Sequence, residues 1–397
     1  MSDISIPNFR FKKYTNNLVK AKLSKIATFN PKSSLPENFK YIDLESVLGT
    51  ELVSCREETR ESAPSRAQRV AQKGDVFYQM VRPYQKNNYL FDLNENNYVF
   101  STGYAQLRPK VDSSFLLARL QEEGFVNKVI ERCTGTSYPA INSKDLSRIS
   151  ITIPEDLEEQ SAIGSLFRTL DDLLVSYKDN LANYQSLKAT MLSKLFPKAG
   201  QTVPEIRLDG FERKWEKKKL IDLVSPVSRK VKKPSDPYYR LSIRSHAKGT
   251  FKQFVDDPKK IAMDNLFEVK ENDLVVNITF AWEHAIAVAS KEDDGLLVSH
   301  RFPTYVIDKS DKNFINIYIK REEFRQKMDL LSPGGAGRNR VLNVKDFINI
   351  QMIVPELEEQ QAIGAYFSNL GNLIDAHQEK ITQLETLKKK LLQDMFI

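Results

Sequence analysis

The sequence predicts an α+β protein with two similar globular domains, each followed by one long helix, and with the two helices packed on each other. Three observations predict this fold: a long segment occurs twice, each copy has coiled-coil periodicity, and shorter motifs upstream of each copy also occur twice. The repeat gives the chain a pseudo-twofold organisation. The predicted boundaries are residues 1–153 for the first domain, 154–200 for the first helix and a hinge, 201–354 for the second domain, and 355–397 for the second helix.

The repeated segment covers residues 157–196 and returns, with a constant offset of 200, at residues 357–396. Both copies open with Leu-Glu-Glu-Gln and continue, after one intervening residue, with Ala-Ile-Gly. Further identical pairs are Phe167/Phe367, Leu170/Leu370, Leu173/Leu373, Leu187/Leu387, Leu192/Leu392 and Phe196/Phe396. The register holds without a gap, which indicates a duplication and not a chance similarity.

Each copy predicts a single long helix. Pro154 and Pro355 lie just upstream, where proline tolerates a helix start but not a helix interior. The glutamates that follow place negative charge in the first turn, where the helix dipole favours it. Apolar side chains then recur at about 3.5 residues, as in a coiled-coil seam. The positions assigned to the helix pair are Gln160, Ile163, Phe167, Leu170, Leu174, Gln360, Ile363, Phe367, Leu370 and Ile374.

The predicted length argues for a pair of spacer-like helices. A helix of about 40 residues is about 60 Å long, which exceeds what one small domain can cover. The alternative is that both helices lie in the core of one large domain. The duplication favours two helices that pack on each other.

Shorter motifs relate the two globular domains. Residues 74–76 (Gly-Asp-Val) correspond to residues 272–274 (Asn-Asp-Leu), and the Asn-x-Lys-Asp motif at 142–145 corresponds to that at 343–346. The second motif continues in each case into an alternating apolar strand that ends near a proline. We therefore predict one α+β scaffold that carries two different surfaces.

The remaining elements follow from local pattern and turn chemistry. We predict strands at 76–78, 98–100, 149–153, 273–278, 285–289 and 348–352, helices at 114–132, 220–224 and 313–331, and loops at 61–72, 197–210 and 332–338.

The charge of the chain is unevenly divided. Residues 1–153 hold 22 basic and 16 acidic side chains, and residues 201–354 hold 28 and 22, so each domain carries a net charge of +6. The other residues, mostly the two helices, hold 9 basic and 14 acidic side chains. Two basic domains joined by acidic helices indicate that the domains, and not the helices, meet a polyanion.

Other composition features narrow the class of protein. No apolar run reaches membrane-spanning length, and the first 25 residues are too polar for a signal peptide. The two cysteines, Cys55 and Cys133, lack the spacing of a metal site, so we expect a reducing cytoplasm.

No catalytic constellation is evident in the sequence. Residues 334–337 are glycine-rich, but no Gly-Lys-Ser/Thr follows, so they do not form a phosphate-binding loop. Residues 236–239 (Asp-Pro-Tyr-Tyr) resemble an adenine methyltransferase motif, yet they lack its second proline, and the chain lacks the matching cofactor loop. None of the four histidines lies at metal-ligand spacing from another histidine or a cysteine. We therefore expect a binding or scaffolding protein with no metal and no cofactor of its own.

The globular domains carry residue types that read nucleic acid. Arginine can fork to guanine and glutamine to adenine, whereas lysine mostly meets phosphate. In the first domain the candidates are Arg56, Arg60, Arg66, Arg69, Tyr78, Gln79, Arg82, Tyr84 and Lys86. In the second domain they are Arg229, Lys230, Arg240, Arg244, Lys248, Thr279, Trp282, His300, Arg301, Arg338 and Arg340. Each one alone could be an ordinary solvated charge, but the two sets together predict contact with DNA.

The duplicated helix motif, with Lys-Leu-Phe at 194–196 and Gln-Asp-Met-Phe at 393–396, resembles the specificity subunit of type I restriction–modification systems. The segment 204–211 with Trp215 and the stretch 334–340 match that family as well. The match covers essentially the whole chain. It departs at residues 9–11 (Phe-Arg-Phe), which are only part of the opening motif, and at Asn272, where glycine is usual.

The resemblance implies two target-recognition domains joined by an antiparallel coiled-coil spacer. Each domain would read one half of a split site in double-stranded DNA, and the helices would set the unread spacer and dock two methyltransferase subunits. Those subunits would bring S-adenosylmethionine and modify adenine, and two restriction/translocase subunits would use ATP and Mg. This chain would carry no active site and would work in a bacterial or archaeal cytoplasm.

Two other classes of function remain open from the sequence. One is a stand-alone DNA-binding protein, or a decoy of restriction enzymes, without catalytic partners. The other is a fused enzyme with its own methyltransferase centre, against which the missing cofactor motifs argue.

Overall fold

The computed structural model describes residues 7–198, 200–334 and 340–396. The chain forms two compact units: unit 1 comprises residues 1–181 and 377–397, and unit 2 comprises residues 182–376. The sequence-based boundaries instead cut the chain at the helix starts. The two divisions differ because each long helix contributes one part to each unit.

Unit 1 combines three sheets with short helices. Its strands are β1 (Leu18–Lys22), β2 (Ala27–Phe29), β3 (Asn38–Ile42), β4 (Val47–Leu48), β5 (Glu51–Leu52), β6 (Arg56–Thr59), β7 (Ala67–Val70), β8 (Val76–Gln79), β9 (Tyr89–Leu90), β10 (Tyr98–Ser101), β11 (Tyr104–Pro109) and β12 (Ser150–Pro154). Its helices are α1 (Leu23–Ile26), α2 (Ser113–Gln121), α3 (Glu123–Ile130), α4 (Ser143–Ser147) and the first part of α5 (Leu157–Lys194). The sheets have the orders β1-β12, β6-β3-β10-β7 and β2-β11-β8-β9, and β4 and β5 form a separate hairpin.

Unit 2 repeats most of this organisation. Its strands are β13 (Glu216–Lys219), β14 (Ser225–Val227), β15 (Lys230–Lys232), β16 (Tyr238–Ile243), β17 (Thr250–Val255), β18 (Asn265–Glu268), β19 (Asp273–Val276), β20 (Ile286–Val288), β21 (Leu297–Val298), β22 (Thr304–Val306) and β23 (Gln351–Val354). Its helices are α6 (Lys312–Tyr318), α7 (Glu322–Leu330), α8 (Val344–Phe347) and the first part of α9 (Leu357–Met395). The sheets have the orders β13-β23, β14-β22-β19-β20 and β15-β18-β21-β16-β17.

Two of the three sheets correspond between the units, and the third differs. The pair β1-β12 matches β13-β23, and β2-β11-β8-β9 matches β14-β22-β19-β20 strand for strand. The remaining sheet has four strands in unit 1 and five in unit 2. The predicted α+β scaffold with two different surfaces is thus confirmed, and the difference is concentrated in one sheet.

The two predicted long helices are present as α5 and α9. Within unit 1 the side chain of Lys178 lies 3.2 Å from Glu385, and Lys388 pairs with Asp171. Because the later residue of α9 meets the earlier residue of α5, the two segments run antiparallel. No helix among the described residues is both long enough and apolar enough to cross a membrane.

The helix seam is buried as its periodicity predicts. The buried seam side chains are Gln160, Ile163, Phe167, Leu170, Leu174, Gln360, Ile363, Phe367 and Leu370, whereas Ile374 is only partly buried. The repeat extends to the helix ends: the ring of Phe396 stacks on Phe167 at 5.8 Å in unit 1, and Phe196 lies 6.5 Å from Phe367 in unit 2. In each unit, therefore, the start of one long helix packs against a residue just beyond the end of the other.

The repeated glutamine ties each long helix to a short one. In unit 1 the Gln160 amide donates to the Pro154 carbonyl at 2.8 Å, and its oxygen accepts from the Asp112 backbone N–H at 3.1 Å. In unit 2 Gln360 repeats both bonds, donating to the Pro355 carbonyl at 2.9 Å and accepting from Asp311 at 3.2 Å. Both glutamines are buried, so these bonds satisfy groups that water does not reach.

The repeated glutamate anchors the segment that opens each globular part. Arg10 donates to both carboxylate oxygens of Glu159 at 2.6 and 2.7 Å, and Arg207 donates to both oxygens of Glu359 at 2.8 and 2.6 Å. Each glutamate side chain is only 1% exposed. Bidentate pairing of this kind is the strong form of the arginine–carboxylate contact. The Phe-Arg-Phe fragment at residues 9–11 therefore keeps the structural role that Ile-Arg-Leu has at residues 206–208.

Several element boundaries differ from the sequence prediction. Residues 61–72 were expected to form a loop, but β7 forms within them because Ala67 is buried against Phe39 and Val99. The predicted helix at 114–132 is two helices, because Glu122 has an extended backbone and its carboxylate caps α3 by accepting from Phe125 N–H. Tertiary packing overrides local pattern at the first site, and capping chemistry ends the helix at the second.

Unit 2 shows similar differences. The predicted helix at 313–331 is divided into α6 and α7 at Arg321, whose backbone is extended. The predicted helix at 220–224 is a single 3₁₀ turn, Leu220–Asp222. The predicted strand at 348–352 begins only at Gln351, since the preceding residues follow directly from α8.

Candidate nucleic-acid interface

The turn before the central strand of each unit needs a left-handed residue. Gly74, before β8, has φ +91°, and Asn272, before β19, has φ +69°. Asparagine is among the few residues with a side chain that adopt this conformation readily. The departure from glycine at Asn272 is therefore compatible with the same turn.

The aspartate that follows each turn is buried and paired with an arginine. Asp75 accepts from Arg108 at 2.9 Å on each oxygen, and the Gln106 amide donates to it at 2.7 Å. Asp273 accepts from Arg229 at 2.5 and 3.2 Å, and this hydrogen bond raises the pKa of Arg229. Arg229, a candidate DNA contact from the sequence, is thus engaged in holding the turn, and we leave it out of the proposed surface.

Four candidate arginines of unit 1 lie in or beside the sheet that differs between the units. Arg56 stands exposed on the edge strand β6, where it pairs with Glu58 at 2.7 Å and lies 5.1 Å from the Tyr41 ring. Arg60 and Arg66 are exposed in the loop that leads from β6 to β7. Arg69, on β7, is half-buried, and burial lowers its pKa. These three exposed arginines do not form one patch, because β6 and β7 lie at opposite edges of the sheet, and Glu57 and Glu61 are exposed beside Arg56 and Arg60.

A second group of candidates forms a tight loop after β8. Arg82 and Lys86 both have left-handed backbones, with φ +53° and +57°, and they bracket a 3₁₀ turn that holds Tyr84 exposed at its tip. The Arg82 guanidinium lies 4.2 Å from the ring of Tyr138, which is also exposed. Lys86 pairs with Glu123 at 2.6 Å. The loop presents an arginine packed on one exposed aromatic ring, with a second exposed ring two residues further along the chain, which is a combination suited to nucleic acid.

Two candidates of unit 1 lie inside the protein. Tyr78 is fully buried in the unit 1 core, and its burial raises the pKa of the phenol. The Gln79 side chain is buried too, and its amide donates to Gln85 at 2.8 Å while its oxygen accepts from Asn87 N–H at 3.2 Å. We therefore assign Gln79 to shaping the Arg82–Lys86 loop and leave both residues out of the proposed surface.

The hairpin of β16 and β17 projects candidates from unit 2. β17 is an edge strand, and its residues 251–254 are exposed. The rings of Tyr239 and Phe254 pack at 5.0 Å on its surface, and the Arg244 guanidinium lies 5.1 Å from Phe251. Arg244 and Lys248 are exposed in the turn region of the hairpin. This hairpin thus exposes both basic and aromatic side chains.

Arg240, Thr279 and Arg301 come together, although they are far apart in the sequence. They line one cleft of about 260 Å³ between the hairpin and the loops that follow β19 and β21. Arg240 donates from Nε to the Gln253 oxygen at 3.0 Å, and the Thr279 hydroxyl donates to the Asn277 oxygen at 2.8 Å. This cleft is the most enclosed grouping of the sequence-predicted residues in unit 2.

The other candidates of unit 2 are dispersed. Lys230 is exposed on β15, and His300 is exposed beside the apolar groove that contains Pro226 and Val344. Arg340 donates to the carbonyls of Ser332 and Asp329 at 2.9 Å and lies 5.4 Å from the Trp282 ring. Arg340 and Trp282 pack within the protein beside the segment that follows α7, so we leave both out of the proposed surface. Arg338 lies outside the described residues.

Sequence reasoning missed three contributors to these surfaces. Tyr138, Gln253 and the Tyr239/Phe254 pair all occupy exposed or cleft-lining positions beside predicted residues. The segment Thr-Phe-Lys-Gln-Phe-Val at 250–255 did carry a signal, because its two phenylalanines are three positions apart, so a strand places them on opposite faces. Tyr138 had none, since only the fold brings it to Arg82.

The described residues give no sign of a metal centre. No group of three or more His, Cys, Asp or Glu side chains in residues 7–198, 200–334 and 340–396 is placed to hold an ion. The buried His284 donates from Nε2 to the Ile319 carbonyl at 2.6 Å, and burial lowers its pKa. His284 therefore has a structural role in unit 2.

Comparison with known families gives a consistent picture. The family model described as the type I restriction modification DNA specificity domain matches residues 52–183 and again residues 212–386. The two matches together span well over half of the chain, and each contains most of one globular part and the first part of one long helix.

Curated relatives carry the same description. The specificity subunit of the type I restriction enzyme MjaVIII from Methanocaldococcus jannaschii is 23% identical over 338 residues, which cover 81% of this chain and 73% of that protein. The specificity subunit of the type I restriction enzyme HindI from Haemophilus influenzae is 30% identical over 141 residues, which cover 34% of this chain and 30% of that protein.

Solved structures share the fold along the whole chain. The S subunit of a type I restriction–modification system from M. genitalium gives a TM-score of 0.60 at 13% identity and covers 99% of both chains. A chain from a structure on complex assembly and conformational transition of the type I R-M system gives a TM-score of 0.50 at 19% identity, covering 96% of this chain and 98% of that one.

Proposed function

The chain belongs to the type I restriction–modification DNA specificity family, and from this membership we propose that each of its globular domains reads one half of a bipartite site in double-stranded DNA. Members of the family are DNA-recognition subunits of restriction–modification systems and not their catalysts. The domains are residues 1–153 and 201–354. The observation that carries the proposal is the repeat itself, in which two matching sheets support one sheet that differs.

The reading surfaces of the two domains differ in construction. In the first domain they are the exposed arginines Arg56, Arg60 and Arg66 and the aromatic loop from Arg82 to Lys86. In the second they are the β16–β17 hairpin, with Arg244 and Lys248, and the cleft at Arg240. Because different residues present the donors in each domain, the two half-sites have different sequences.

The helices at residues 154–200 and 355–397 act as the ruler between the half-sites. α5 has 38 residues, which corresponds to about 57 Å at 1.5 Å per residue. Half-sites that face the same side of B-DNA recur about every 34 Å, so the helices are long enough to set such a spacing. The buried seam and the Gln160 and Gln360 bonds supply the rigidity that a ruler needs.

The outer faces of the helices dock the other subunits. Leu187 and Leu387, which correspond in the repeat, are 42% and 45% exposed. A repeated exposed leucine offers two equivalent apolar contacts, which fits two copies of a methyltransferase subunit. Those subunits bring S-adenosylmethionine and methylate adenine, and two restriction/translocase subunits use ATP and Mg. The complex works on DNA in a bacterial or archaeal cytoplasm.

Exchanging residues 1–153 for the equivalent domain of another family member should change one half of the methylated motif and leave the other half unchanged. The reason is that each domain presents its own surface on a shared scaffold. Sequencing that detects methyladenine in cells carrying the hybrid measures both halves at once. A change in both halves would show that the domains do not read independently.

Replacing both Leu187 and Leu387 by lysine should weaken methyltransferase binding without unfolding the chain, because a charge at each contact must be desolvated on docking. Co-purification with the methyltransferase subunit measures this effect. Gln185→Lys adds the same charge on another side of the same turn and should leave co-purification intact. A charge at the buried Leu170 or Leu370 should instead disrupt the scaffold. Equal co-purification of the double variant and the wild type would place docking elsewhere.

A further inference from the structure

The cleft of unit 2 has one polar wall with a defined geometry. In the antiparallel register of β16 and β17, Arg240 lies directly opposite Gln253, so both side chains project from the same face of the hairpin. The Arg240 Nε–H donates to the Gln253 side-chain oxygen at 3.0 Å, which leaves that oxygen one further lone pair. Most of what this wall can offer to a ligand is donors: the terminal guanidinium N–H groups of Arg240 and the amide N–H groups of Gln253.

The opposite wall adds a second guanidinium. Arg301 is exposed, and its side chain makes no ion pair or hydrogen bond with the residues that the structure describes. Thr279 is fixed beside it by two bonds to the Asn277 oxygen, from its N–H at 3.1 Å and from its hydroxyl at 2.8 Å. Among the residues that the structure describes, no aspartate or glutamate lines the cleft. Two arginines therefore face a site that has no carboxylate to neutralise them.

The floor and rim of the cleft are apolar. Leu241, Leu266 and Val298 at its base are buried, and Phe280 at its edge is 43% exposed. An apolar floor with a few fixed polar groups is typical of a site that selects its ligand by orientation. Hydrogen bonds formed there are also less weakened by water than those on an open surface.

The donor pattern selects among the base pairs. In the major groove guanine presents two acceptors, N7 and O6, whereas adenine presents one acceptor and one donor and cytosine presents a donor. Adenine and cytosine each present a donor and so need an acceptor from the protein, whereas the two arginines of the cleft offer donors only. A forked arginine satisfies both guanine acceptors at once.

We infer that this cleft reads a guanine in the half-site of the second domain, with Arg240 as the residue that determines specificity and Gln253 as the residue that orients it. The inference rests on the proposed function. It adds the identity of one base and of the residue that reads it, neither of which the proposed function specifies. Arg301 supplies the second donor set, either on the same base or on its neighbour. Because the β16–β17 hairpin belongs to the sheet that differs between the units, the equivalent contact is specific to this half-site.

The same guanidinium groups could instead hold a backbone phosphate, and the two roles differ in their response to lysine. A lysine keeps the charge that attracts phosphate but lacks the planar fork that matches guanine. Arg240→Lys should therefore relax the guanine position as much as Arg240→Ala does. A phosphate contact would show the opposite behaviour, with lysine restoring wild-type binding and the motif unchanged.

The test uses the full chain assembled with its methyltransferase subunits. Methyladenine mapping in cells is followed by binding of the purified complexes to duplexes that carry each base pair at the guanine position. For Arg240→Ala and Arg240→Lys we expect discrimination at that one position to fall about 5- to 150-fold, the equivalent of about 1–3 kcal/mol at 1.4 kcal/mol per factor of ten. The half-site of the first domain should remain unchanged. Arg325→Ala, at a partly exposed arginine on α7 that pairs with Glu322 outside the cleft, is the control and should leave both half-sites unchanged.

Each other outcome overturns the inference in a distinct way. A uniform loss of affinity that lysine rescues would assign Arg240 to phosphate, and unchanged binding in both variants would remove the cleft from recognition. If a variant methylates nothing in cells, the duplex measurements still decide, because discrimination is a ratio that does not depend on overall activity. A wild-type complex that methylates no bipartite site would instead refute the proposed function.

Discussion

Replacing Arg207 by methionine should lower the free energy of unfolding of unit 2 by about 3–5 kcal/mol, because it leaves a buried carboxylate without its partner. Glu359 is 1% exposed, and both of its oxygens accept from Arg207. Both tryptophans of the chain, Trp215 and Trp282, lie in unit 2, so urea unfolding followed by tryptophan fluorescence reports on that unit.

A neighbouring arginine provides the matched control. Arg213 pairs with Glu356 at 2.9 Å but is 83% exposed, so Arg213→Met should cost less than about 1 kcal/mol. The double variant Arg207→Met with Glu359→Leu should recover most of the loss, since no unpaired charge then remains buried. Equal effects of Arg207→Met and Arg213→Met would mean that the repeated glutamate does not anchor the domain.

Gly364→Ala and Gly371→Ala should change the stability of unit 2 in opposite directions, although both glycines lie in α9. A Cβ at residue 364 would collide with the Asp311 carboxylate and would lie 2.9 Å from Asn313 Cβ. That carboxylate cannot swing away freely, because it caps α6 by accepting from Phe314 N–H at 2.8 Å. Overpacking costs about 1–3 kcal/mol, and a lost cap adds about 1 kcal/mol.

The second glycine has no such neighbour. A Cβ at residue 371 would meet nothing within 4 Å, so Gly371→Ala should stabilise the helix by about 0.5–1 kcal/mol. The same fluorescence-detected urea titration measures both variants. If both substitutions stabilise the chain, Gly364 would be only a helix defect and not the point where α9 meets α6. Gly164, which faces Asp112 in unit 1, is expected to behave like Gly364.

The parts of the fold that the sequence predicts best are those that it states twice. The constant offset of 200 aligns Glu159, Gln160 and Gly164 with Glu359, Gln360 and Gly364. In the structure the two residues of each aligned pair make equivalent contacts. Where both copies need the same burial and the same hydrogen bonds, the same residue types occur at equivalent positions of the sequence. The long helices and the α+β scaffold were predictable for that reason.

The reading surfaces were only partly predictable, because they depend on contacts between distant segments. Tyr78 and Gln79 have residue types suited to DNA, but β8 is a central strand with both faces covered, so they lie in the core. Conversely, Arg240 and Arg301 stand 61 positions apart and meet only because β16 and β21 are neighbouring strands. Residue type alone does not distinguish a surface arginine from Arg229, which holds a buried aspartate.

The measurement that tests the account most directly is genome-wide mapping of methyladenine in cells with and without this gene, in the presence of the methyltransferase subunit. Two domains that read separately at a fixed spacing predict one split motif, with two specified halves and an unread spacer of constant length, methylated only when the gene is present. A contiguous motif, a spacer of variable length, or methylation that does not depend on the gene would contradict the account. Gene-independent methylation would favour a stand-alone DNA-binding protein or decoy instead.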